Sequence, residues 1–504
     1  MWGTRSNGGR RENGRGPGGA EAGWAMTVDA FIKGYSRAKG SGSLPMSLVL
    51  AITDLAVILF CFGLGFLSVK LVAYTAINSK SFITYWYYLP AFSFIFWGIR
   101  LYPGLSLAHP EELRRFALAS LFGHMGIVVS RLIIGNKLDA YSIAFMISWV
   151  ASIPIFSAGR GIARRLFMRS DWWGVPVAIF GAGKTGRLLV DRLLQHPWLG
   201  VRPVVFLDDA VFAEDSYRGV PIVSGTQNGL RLAEECELDS AIVAMPGVDR
   251  ARVADIVADH VRAFRRYTII PDFFGMTNMW ITVRDFDGIM GLEVNQVLLS
   301  RFNQGIKRFL DIAIVVVGGL VISPFLLLLA LAVKIDSPGP IFYGHHRLGK
   351  DGKPFKAWKF RSMVRNSKEV LENLLASDPA LREEWENSFK LRDDPRITKM
   401  GRFLRKTSLD ELPQIWNVLL GEMSLIGPRP IIEAEVEKYG HHYKLFSSVK
   451  PGMSGLWQVS GRSDLDYEER VALDIYYIQS WSLWLDLYIL FKTFGVVVAG
   501  LGAY

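Results

Sequence analysis

The sequence predicts a membrane protein of mixed α and α/β class. It combines a four-helix transmembrane bundle, a doubly wound α/β domain, and a mostly α domain with a re-entrant membrane helix. Three observations predict this arrangement: apolar runs crowd the first third of the chain, a glycine motif follows, and a proline-interrupted apolar run precedes a polar C-terminal third. The 504 residues exceed the roughly 250–300 at which single cores stop growing, so several domains are expected.

Composition excludes several classes of protein. Half of the residues are hydrophobic and 21% are charged, which is too apolar for a disordered chain or an ordinary soluble enzyme. The two cysteines exclude a disulfide scaffold and a cysteine-rich metal site. Lys and Arg (57) outnumber Asp and Glu (47), giving a net charge of +10.

Residues 1–46 are predicted to be a disordered or basic N-terminal tail, because the first 25 are rich in Gly and Arg and contain nothing to build a core. Those 25 residues either belong to the native tail or precede a true start at Met26.

Residues 47–160 are predicted to form four transmembrane helices. The apolar runs are 47–69, 82–99, 115–135 and 138–157. Each approaches the ~20 residues that cross a bilayer as a helix. Asp54, His124 and Arg131 lie inside these runs, and we favour a packing role over a functional one.

Basic residues predict the orientation. They precede the first run, separate the second from the third, and follow the fourth: Lys33, Arg37, Lys39; Arg100, Arg114, Arg115; Arg160, Arg164, Arg165, Arg169. With four spans all three clusters share one side, which the positive-inside rule makes cytoplasmic. The predicted location is the bacterial inner membrane, with the later domains in the cytosol.

Residues 172–298 predict a Rossmann-like module. A strand at 177–180 leads into Gly181, Gly183 and Gly186, and a second strand ends at Asp208. Such glycines let a backbone approach a pyrophosphate at a helix N-terminus, and the acid would bind ribose hydroxyls. Two interpretations stay open: a regulatory or dimerising module, which we favour, and an occupied nucleotide site.

A fifth apolar run, 312–333, predicts a re-entrant helix. Ser323 and Pro324 interrupt it, and the proline removes a backbone donor. Each arm is about one leaflet long at 1.5 Å per residue. Both flanks are basic, which argues against a plain proline-kinked span, the alternative interpretation.

The C-terminal third contains candidate phosphate-handling residues. Ser408 and Glu411 fit a capping box, and Pro413 suits a first turn, so a helix should begin near Leu409 or Asp410. Its N-terminus would favour anions. Adjacent helical residues point about 100° apart, so one of Asp410 and Glu411 can attack phosphorus while the other holds a metal. Basic residues nearby, including Arg402 and Arg405, would keep both carboxylates ionised.

These segments resemble the bacterial sugar transferase family, the monotopic phosphoglycosyl transferases. The matching motifs are Tyr343-Gly-His-His-Arg-Leu-Gly, Lys359-Phe-Arg-Ser-Met, Arg405-Lys-Thr-Ser-Leu-Asp-Glu-Leu-Pro-Gln, Met423-Ser-Leu-Ile-Gly-Pro-Arg-Pro and Pro451-Gly-Met-Ser-Gly-Leu-Trp-Gln-Val-Ser-Gly-Arg. The resemblance makes residues 305–504 the catalytic domain.

The resemblance implies transfer of hexose-1-phosphate, galactose or glucose, from a UDP-sugar to undecaprenyl phosphate, with release of UMP. It implies Asp410 as nucleophile of a covalent phosphosugar intermediate and Glu411 as the Mg²⁺ ligand. Further candidates for contacting phosphate, nucleotide or sugar are Lys359, Arg361, Arg405, Arg429, Gln458 and Arg462. The expected partners are the UDP-hexose, undecaprenyl phosphate, the lipid bilayer and a second copy of the chain.

Two rival functions fit parts of the sequence. A membrane-bound NAD-dependent nucleotide-sugar dehydratase or epimerase shares the membrane and Rossmann layout, but the C-terminal Tyr-x-x-x-Lys, Tyr488 and Lys492, lies in an apolar tail. A non-catalytic scaffold of polysaccharide assembly would not need the intact Asp410-Glu411 pair. Nucleic-acid binding is not expected, because the basic residues form no single face.

The last apolar segment, 481–498, either lies along the membrane surface or packs as a C-terminal helix.

Overall fold

The computed structural model describes residues 27–37, 43–73, 84–102, 104–105, 108–135, 139–170, 172–210, 214–271, 281–286, 289–294, 297–377, 382, 394–461 and 465–499. They divide into two compact units, one within residues 1–107 and 115–274 and the other within 108–114 and 275–504. Residues 1–26 of the predicted tail and the predicted site residue Arg462 lie outside the described residues.

The N-terminal helices include three of membrane length. The helices are α1 (Val28–Arg37), α2 (Ser43–Ala73), α3 (Leu89–Gly98), α4 (His109–Gly135) and α5 (Ala140–Phe167). Of these, α2, α4 and α5 are long and apolar enough to cross a membrane. The first, third and fourth predicted runs are therefore confirmed as membrane-length helices.

The second predicted run, 82–99, contains two shorter elements, and its crossing of the membrane stays a prediction. The described residues there form a 3₁₀ helix, Thr84–Tyr88, followed by the ten-residue α3. Arg100 adopts a left-handed backbone with φ of 57°, and the Leu101 N–H donates to the Phe96 carbonyl. This C-cap ends α3 where the predicted run ends, and the 3₁₀ segment before Leu89 limits the α-helix to ten residues.

The charges within the runs pack against other helices, as predicted. Asp54 is fully buried and forms an ion pair with Arg160 at 2.6 Å, while the Tyr102 hydroxyl donates to the same carboxylate at 2.7 Å. His124 lies within hydrogen-bond distance of the Ser120 carbonyl and the Ser148 hydroxyl. These contacts satisfy polar groups that would otherwise be costly in an apolar bundle.

The predicted disordered tail contains a helix. In α1, Val28, Phe31, Ile32 and Tyr35 share one face at helical spacing and pack in a cluster with strand residues of the α/β module. Burial of Phe31 in this cluster gives the segment the apolar contacts that composition alone did not predict.

The α/β module is built on a six-stranded sheet. Its strands are β1 (Val175–Phe180), β2 (Val201–Asp208), β3 (Ser216–Tyr217), β4 (Val220–Ser224), β5 (Ser240–Val243) and β6 (Arg266–Ile269), in the order β3-β4-β2-β1-β5-β6. All neighbours are parallel except β3 with β4. The intervening helices are α6 (Lys184–Gln195), α7 (Gly229–Glu235) and α8 (Arg250–Ile256).

The second unit is mostly helical. Its helices are α9 (Arg301–Asp336), α10 (Ser367–Ser377), α11 (Lys399–Thr407), α12 (Ile415–Leu420), α13 (Val436–Tyr439), α14 (Tyr443–Ser447), α15 (Leu456–Ser460), α16 (Tyr467–Gln479) and α17 (Leu483–Ala499). Its strands are β7 (Ile281–Phe286), β8 (Ile289–Val294), β9 (Phe342–Leu348), β10 (Pro354–Phe360), β11 (Ser424–Ile426) and β12 (Gly452–Ser454). The core includes Leu485 and Ile489, so the first half of α17 packs as a C-terminal helix.

Helix α9 is a fourth helix of membrane length, and it runs through Pro324 as a single helical element. Both of its ends pack on the same domain. Arg308, near the start, donates to the carbonyls of Val418 and Leu419 on α12. Leu329, near the end, shares an apolar cluster with Leu412. The segment between the ends exposes large apolar side chains to its surroundings.

Candidate active site

The Asp410-Glu411 pair lies on a short 3₁₀ helix, Leu409–Gln414, that connects α11 to α12. The helix begins at Leu409, as predicted, but the predicted capping box does not form. Ser408 has a left-handed backbone with φ of 57° and its side chain makes no cap hydrogen bond, because it is the residue that ends α11. Pro413 is tolerated within this short turn.

An asparagine on α12, the helix that follows this turn, fixes that helix against β10. The Asn417 side chain donates to the Lys356 carbonyl at 2.7 Å and accepts from the Trp358 N–H at 3.0 Å. Asn417 is fully buried, so the strand–helix contact is shielded from water. This clamp holds Lys359, the next residue along the strand, over the two carboxylates.

Lys359 joins both carboxylates. Its Nζ lies 2.6 Å from Glu411 Oε1 and 3.8 Å from Asp410 Oδ2. The Asp410 side chain is 14% exposed and the Glu411 side chain 25% exposed. An ammonium shared by two partly buried carboxylates favours their ionised forms.

The two carboxylates have opposite pKa shifts. Burial raises the pKa of Asp410, and Glu411 raises it further, against the opposing effects of Lys359 and Arg405. Burial also acts to raise the pKa of Glu411, but Lys359 and Arg429 outweigh it and hold that pKa below its usual value. Glu411 is therefore the more firmly ionised of the pair, which suits a metal ligand, and Asp410 is the more basic, which suits a nucleophile.

A small, open cleft lies beside the pair. Its charged lining consists of Arg347, Lys359, Arg429 and Glu411. Its other lining residues are Ala357, Gln414, Pro430, Gly452, Met453 and Gln458. Three of the four charged lining side chains are cations, while Asp410 and Glu435 pair with Lys359 and Arg347 from beside the cleft. Arginine and lysine donors in such a lining suit the phosphate oxygens of a ligand such as a diphosphate.

The donors fit a magnesium ion. Among the residues described, no group of three or more His, Cys, Asp or Glu side chains gathers to enclose a metal. Mg²⁺ nevertheless commonly binds one or two carboxylates together with waters and substrate phosphates. Asp410 and Glu411 supply carboxylates at the edge of the cleft, so a metal that arrives with a diphosphate fits this donor set.

Comparison with known proteins decides the family. The bacterial sugar transferase model matches residues 302–500, and a CoA-binding domain model matches residues 111–264. A UDP-galactose-lipid carrier transferase of Erwinia amylovora is 40% identical over 77% of this chain and 81% of its own length. The chain belongs to the bacterial sugar transferase family.

Two further relatives extend the comparison. An undecaprenyl-phosphate galactose phosphotransferase of Salmonella typhimurium is 39% identical over 71% of this chain and 75% of its own length. A UDP-glucose:undecaprenyl-phosphate glucose-1-phosphate transferase of Escherichia coli is 37% identical over 68% of this chain and 74% of its own length. Relatives of this sugar transferase are thus named for either hexose.

The predicted site residues of this transferase separate into two groups. Lys359, Glu411, Arg429 and Gln458 line the cleft, and Asp410 adjoins it through Lys359. The Arg429 guanidinium also lies over the Trp457 ring, 5.7 Å from its centre.

The two remaining arginines among the described candidates lie outside the cleft lining. Arg405 donates to the Ser362 hydroxyl at 2.9 Å and acts on Asp410 through its charge. Arg361 is buried and donates to the carbonyls of Ser337 and Pro338, just beyond the end of α9. Two nitrogens of the Arg361 guanidinium thus close the α9 terminus, and phosphate binding by Arg361 stays a prediction.

Sequence reasoning missed three residues of the site. Arg347 and Gln414 line the cleft, and Asn417 clamps it. Arg347 also lies 3.7 Å from Glu435. It falls within a quoted family motif, so its charge was an available signal, whereas nothing in the spacing of Asn417 indicated that it bridges strand and helix.

The glycine loop of the α/β module forms tight turns. Its acidic residue, however, bonds to the loop itself. Gly181 has a φ of 105°, and a Cβ at Gly186 would lie 1.9 Å from the Gly181 carbonyl oxygen, so both positions require glycine. A Cβ at Gly183 would meet no atom within 4 Å. The Ala182 N–H donates to Asp208 Oδ2 at 2.7 Å, so the acid predicted to bind ribose caps the loop. Nucleotide binding there stays a prediction.

Proposed function

We propose that this enzyme transfers hexose-1-phosphate from a UDP-sugar to undecaprenyl phosphate and releases UMP. The reaction would be the first membrane step in the synthesis of O-antigen, capsule or exopolysaccharide. The observation that carries the proposal is the Asp410–Lys359–Glu411 group at the edge of a cation-rich cleft. The names of the relatives supply the class of donor and acceptor.

The transfer would take place in two displacements at the same phosphorus. A carboxylate oxygen of Asp410 attacks the β-phosphorus, a new O–P bond forms, and the bridging P–O bond breaks so that UMP leaves with the electron pair. An oxygen of undecaprenyl phosphate then attacks the phosphosugar–aspartyl intermediate and releases the Asp410 carboxylate. Each step exchanges one P–O bond for another, so no oxidant or external base is consumed.

The side chains around Asp410 would stabilise the charge that moves during these steps. Lys359 holds the carboxylates in place, while Arg347 and Arg429 offer planar donor groups to phosphate oxygens. Glu411 would hold Mg²⁺, which supplies neutralisation of diphosphate charge when bound. The raised pKa of Asp410 makes it a stronger nucleophile than an ordinary aspartate once it is ionised.

A re-entrant α9 would bring this site to the bilayer surface. Residues 308 and 329 lie about 31 Å apart along a straight helix at 1.5 Å per residue. Val418, which accepts from Arg308, and Leu412, which shares an apolar cluster with Leu329, are six residues apart on consecutive helical turns, about 9–12 Å at 1.5–2.0 Å per residue. A bend near Pro324 would bring the two ends of α9 closer together. The exposed apolar segment around Leu320 would then dip into the inner leaflet and return to the cytoplasmic side.

The α/β module and the membrane segments have proposed roles as well. The sheet order and the glycine loop support a Rossmann-like module, with regulation or dimerisation as its proposed role. With the 82–99 run as the second of four spans, the basic clusters beside the apolar runs support an inner-membrane location with the catalytic domain in the cytosol. Family membership argues against a dehydratase, and Tyr488 and Lys492 pack on each other along α17.

The proposal is tested by product analysis with both donors. The full-length enzyme is incubated with undecaprenyl phosphate, Mg²⁺ and either UDP-galactose or UDP-glucose labelled in the sugar. We expect labelled lipid and UMP in equal amounts with at least one donor. Release of UDP, or labelled lipid without UMP, would contradict transfer of a sugar phosphate.

A further inference from the structure

A second group of cations lies at the other end of α12, where the helix ends at Gly421. A methyl group at Gly421 would lie 3.3 Å from an Arg308 Nη atom and 3.4 Å from Lys450 Nζ. The two cationic groups therefore lie no more than 6.7 Å apart. A phosphate oxygen pair spans such a separation, because each N–H···O distance to an anion is about 2.8 Å.

A third cation adjoins this pair. Lys350 Nζ lies 3.4 Å from the Gln304 side-chain oxygen. Gln304 and Arg308 are four residues apart on α9 and so share one helix face. We define Arg308, Lys350 and Lys450 as the basic cluster, and none of the three lines the catalytic cleft.

Local acceptors neutralise the basic cluster only in part. Arg308 donates to two carbonyls at the C-terminus of α12. The carboxylate that acts on Lys450 is Asp311, and that group already accepts hydrogen bonds from the Ser424 hydroxyl and the Leu425 N–H. Burial lowers the pKa of Lys450, and repulsion from Arg308 and Lys350 lowers it further. An anion placed between these groups would relieve that repulsion.

The surroundings of the basic cluster are apolar and exposed. Phe309 follows Arg308 on α9, and Leu420 precedes Gly421 on α12, with Trp416 one turn earlier. All three side chains are more than half exposed. Cations beside an exposed Trp, Phe and Leu are the combination that interfacial segments present to lipid headgroups.

We propose that the basic cluster is a binding site for a phosphate group, supplied by an anionic lipid headgroup or by a soluble phosphate ester. A headgroup bound there would hold the start of α9 at the level of the inner-leaflet phosphates. This inference rests on the membrane placement of α9 proposed above and is independent of the transfer chemistry.

Lipid retention tests the site. The full-length protein is reconstituted in vesicles of equal phosphatidylglycerol and phosphatidylcholine, extracted in mild detergent, and its retained lipids are counted by native mass spectrometry. We expect preferential retention of phosphatidylglycerol. Lys450→Gln should weaken it about fivefold and the Lys350→Gln/Lys450→Gln double variant roughly 25-fold, since each basic residue near an anionic surface contributes ~1 kcal/mol.

Matched variants distinguish charge from folding. Lys450→Arg should retain the lipid preference. Lys444→Gln removes an exposed charge from α14 and should leave retention unchanged. Equal retention of phosphatidylglycerol by the wild type and the double variant would overturn a lipid site, as would the absence of any preference over phosphatidylcholine.

A second measurement identifies the source of the phosphate. Inorganic phosphate is titrated into lipid-depleted protein while the Tm is followed. A rise in the wild type that is lost in the double variant, without phosphatidylglycerol retention, assigns the site to a soluble phosphate. If neither ligand distinguishes the wild type from the double variant, the proposal is wrong. UMP release measured in parallel separates this result from failure of the transferase proposal, because a protein inactive in transfer can still bind phosphate here.

Discussion

Two regions of this molecule carry sequence patterns associated with phosphates, and their environments differ. In the glycine loop, the Ala182 N–H is already bonded to the Asp208 carboxylate. In the cleft, Arg347, Lys359 and Arg429 face a single lining carboxylate, that of Glu411. A glycine motif therefore determines a backbone shape, whereas cationic donors that line a cavity indicate phosphate chemistry. Substitutions in each region test whether only the cleft takes part in transfer.

Asp410→Asn should have the largest effect. The amide matches the carboxylate in shape but lacks its nucleophilic charge, so turnover should fall by at least about 10³-fold. The measurement is UMP release under saturating donor, with Tm as the control for folding. Turnover within tenfold of the wild type, in a folded variant, would remove Asp410 from the nucleophile role.

Lys359→Gln should lower kcat about 10²-fold, because it removes a cation that stabilises charge in the cleft. It should also change the pH profile. Activity requires ionised Asp410, so kcat/KM falls as pH decreases through the pKa of that group. Lys359 lowers this pKa, so its removal should move the acid limb to higher pH. An acid limb that stays in place or moves to lower pH contradicts the assigned coupling.

Arg347→Lys and Arg361→Lys form a matched pair. Arg347 lines the cleft, and loss of its planar donor set should raise the KM for the UDP-sugar about tenfold. Arg361 binds backbone carbonyls beyond α9, so its substitution should lower the free energy of unfolding by about 2 kcal/mol and leave KM unchanged. The pair is checked by donor titration and thermal unfolding, and a reversed pattern would support Arg361 as a substrate ligand.

Asp208→Asn should have the smallest effect on catalysis. An amide oxygen can still accept from the Ala182 N–H, so the loop should keep its shape and turnover should stay within about twofold. The same UMP assay measures it. A loss beyond tenfold would show that the glycine loop contributes to transfer and would end the contrast between the two regions.

Sequence reasoning reached the main features of both units because they depend on long, local patterns. Apolar length predicted α2, α4, α5 and α9. It did not predict that the 82–99 run divides into a 3₁₀ helix and a ten-residue α-helix.

The catalytic carboxylates were predicted from a contiguous motif, but their surroundings were not. Asn417, which fixes α12 to β10, and Arg361, which binds carbonyls after α9, owe their roles to contacts between segments distant in sequence. Spacing along the chain does not determine such contacts. The resemblance, carried over by motif position, therefore assigned Arg361 to phosphate without indicating these carbonyl contacts.

A covalent adduct on Asp410 is the most direct test of the two-displacement mechanism. The full-length enzyme is mixed with UDP-hexose labelled at the β-phosphorus and with Mg²⁺, without lipid acceptor, and is quenched rapidly. Peptide mapping should place the label on Asp410 in the wild type, and Asp410→Asn should carry none. Addition of undecaprenyl phosphate should then discharge it to lipid. Active enzyme that transfers label to lipid while forming no adduct at any quench time would contradict the covalent mechanism and favour direct transfer.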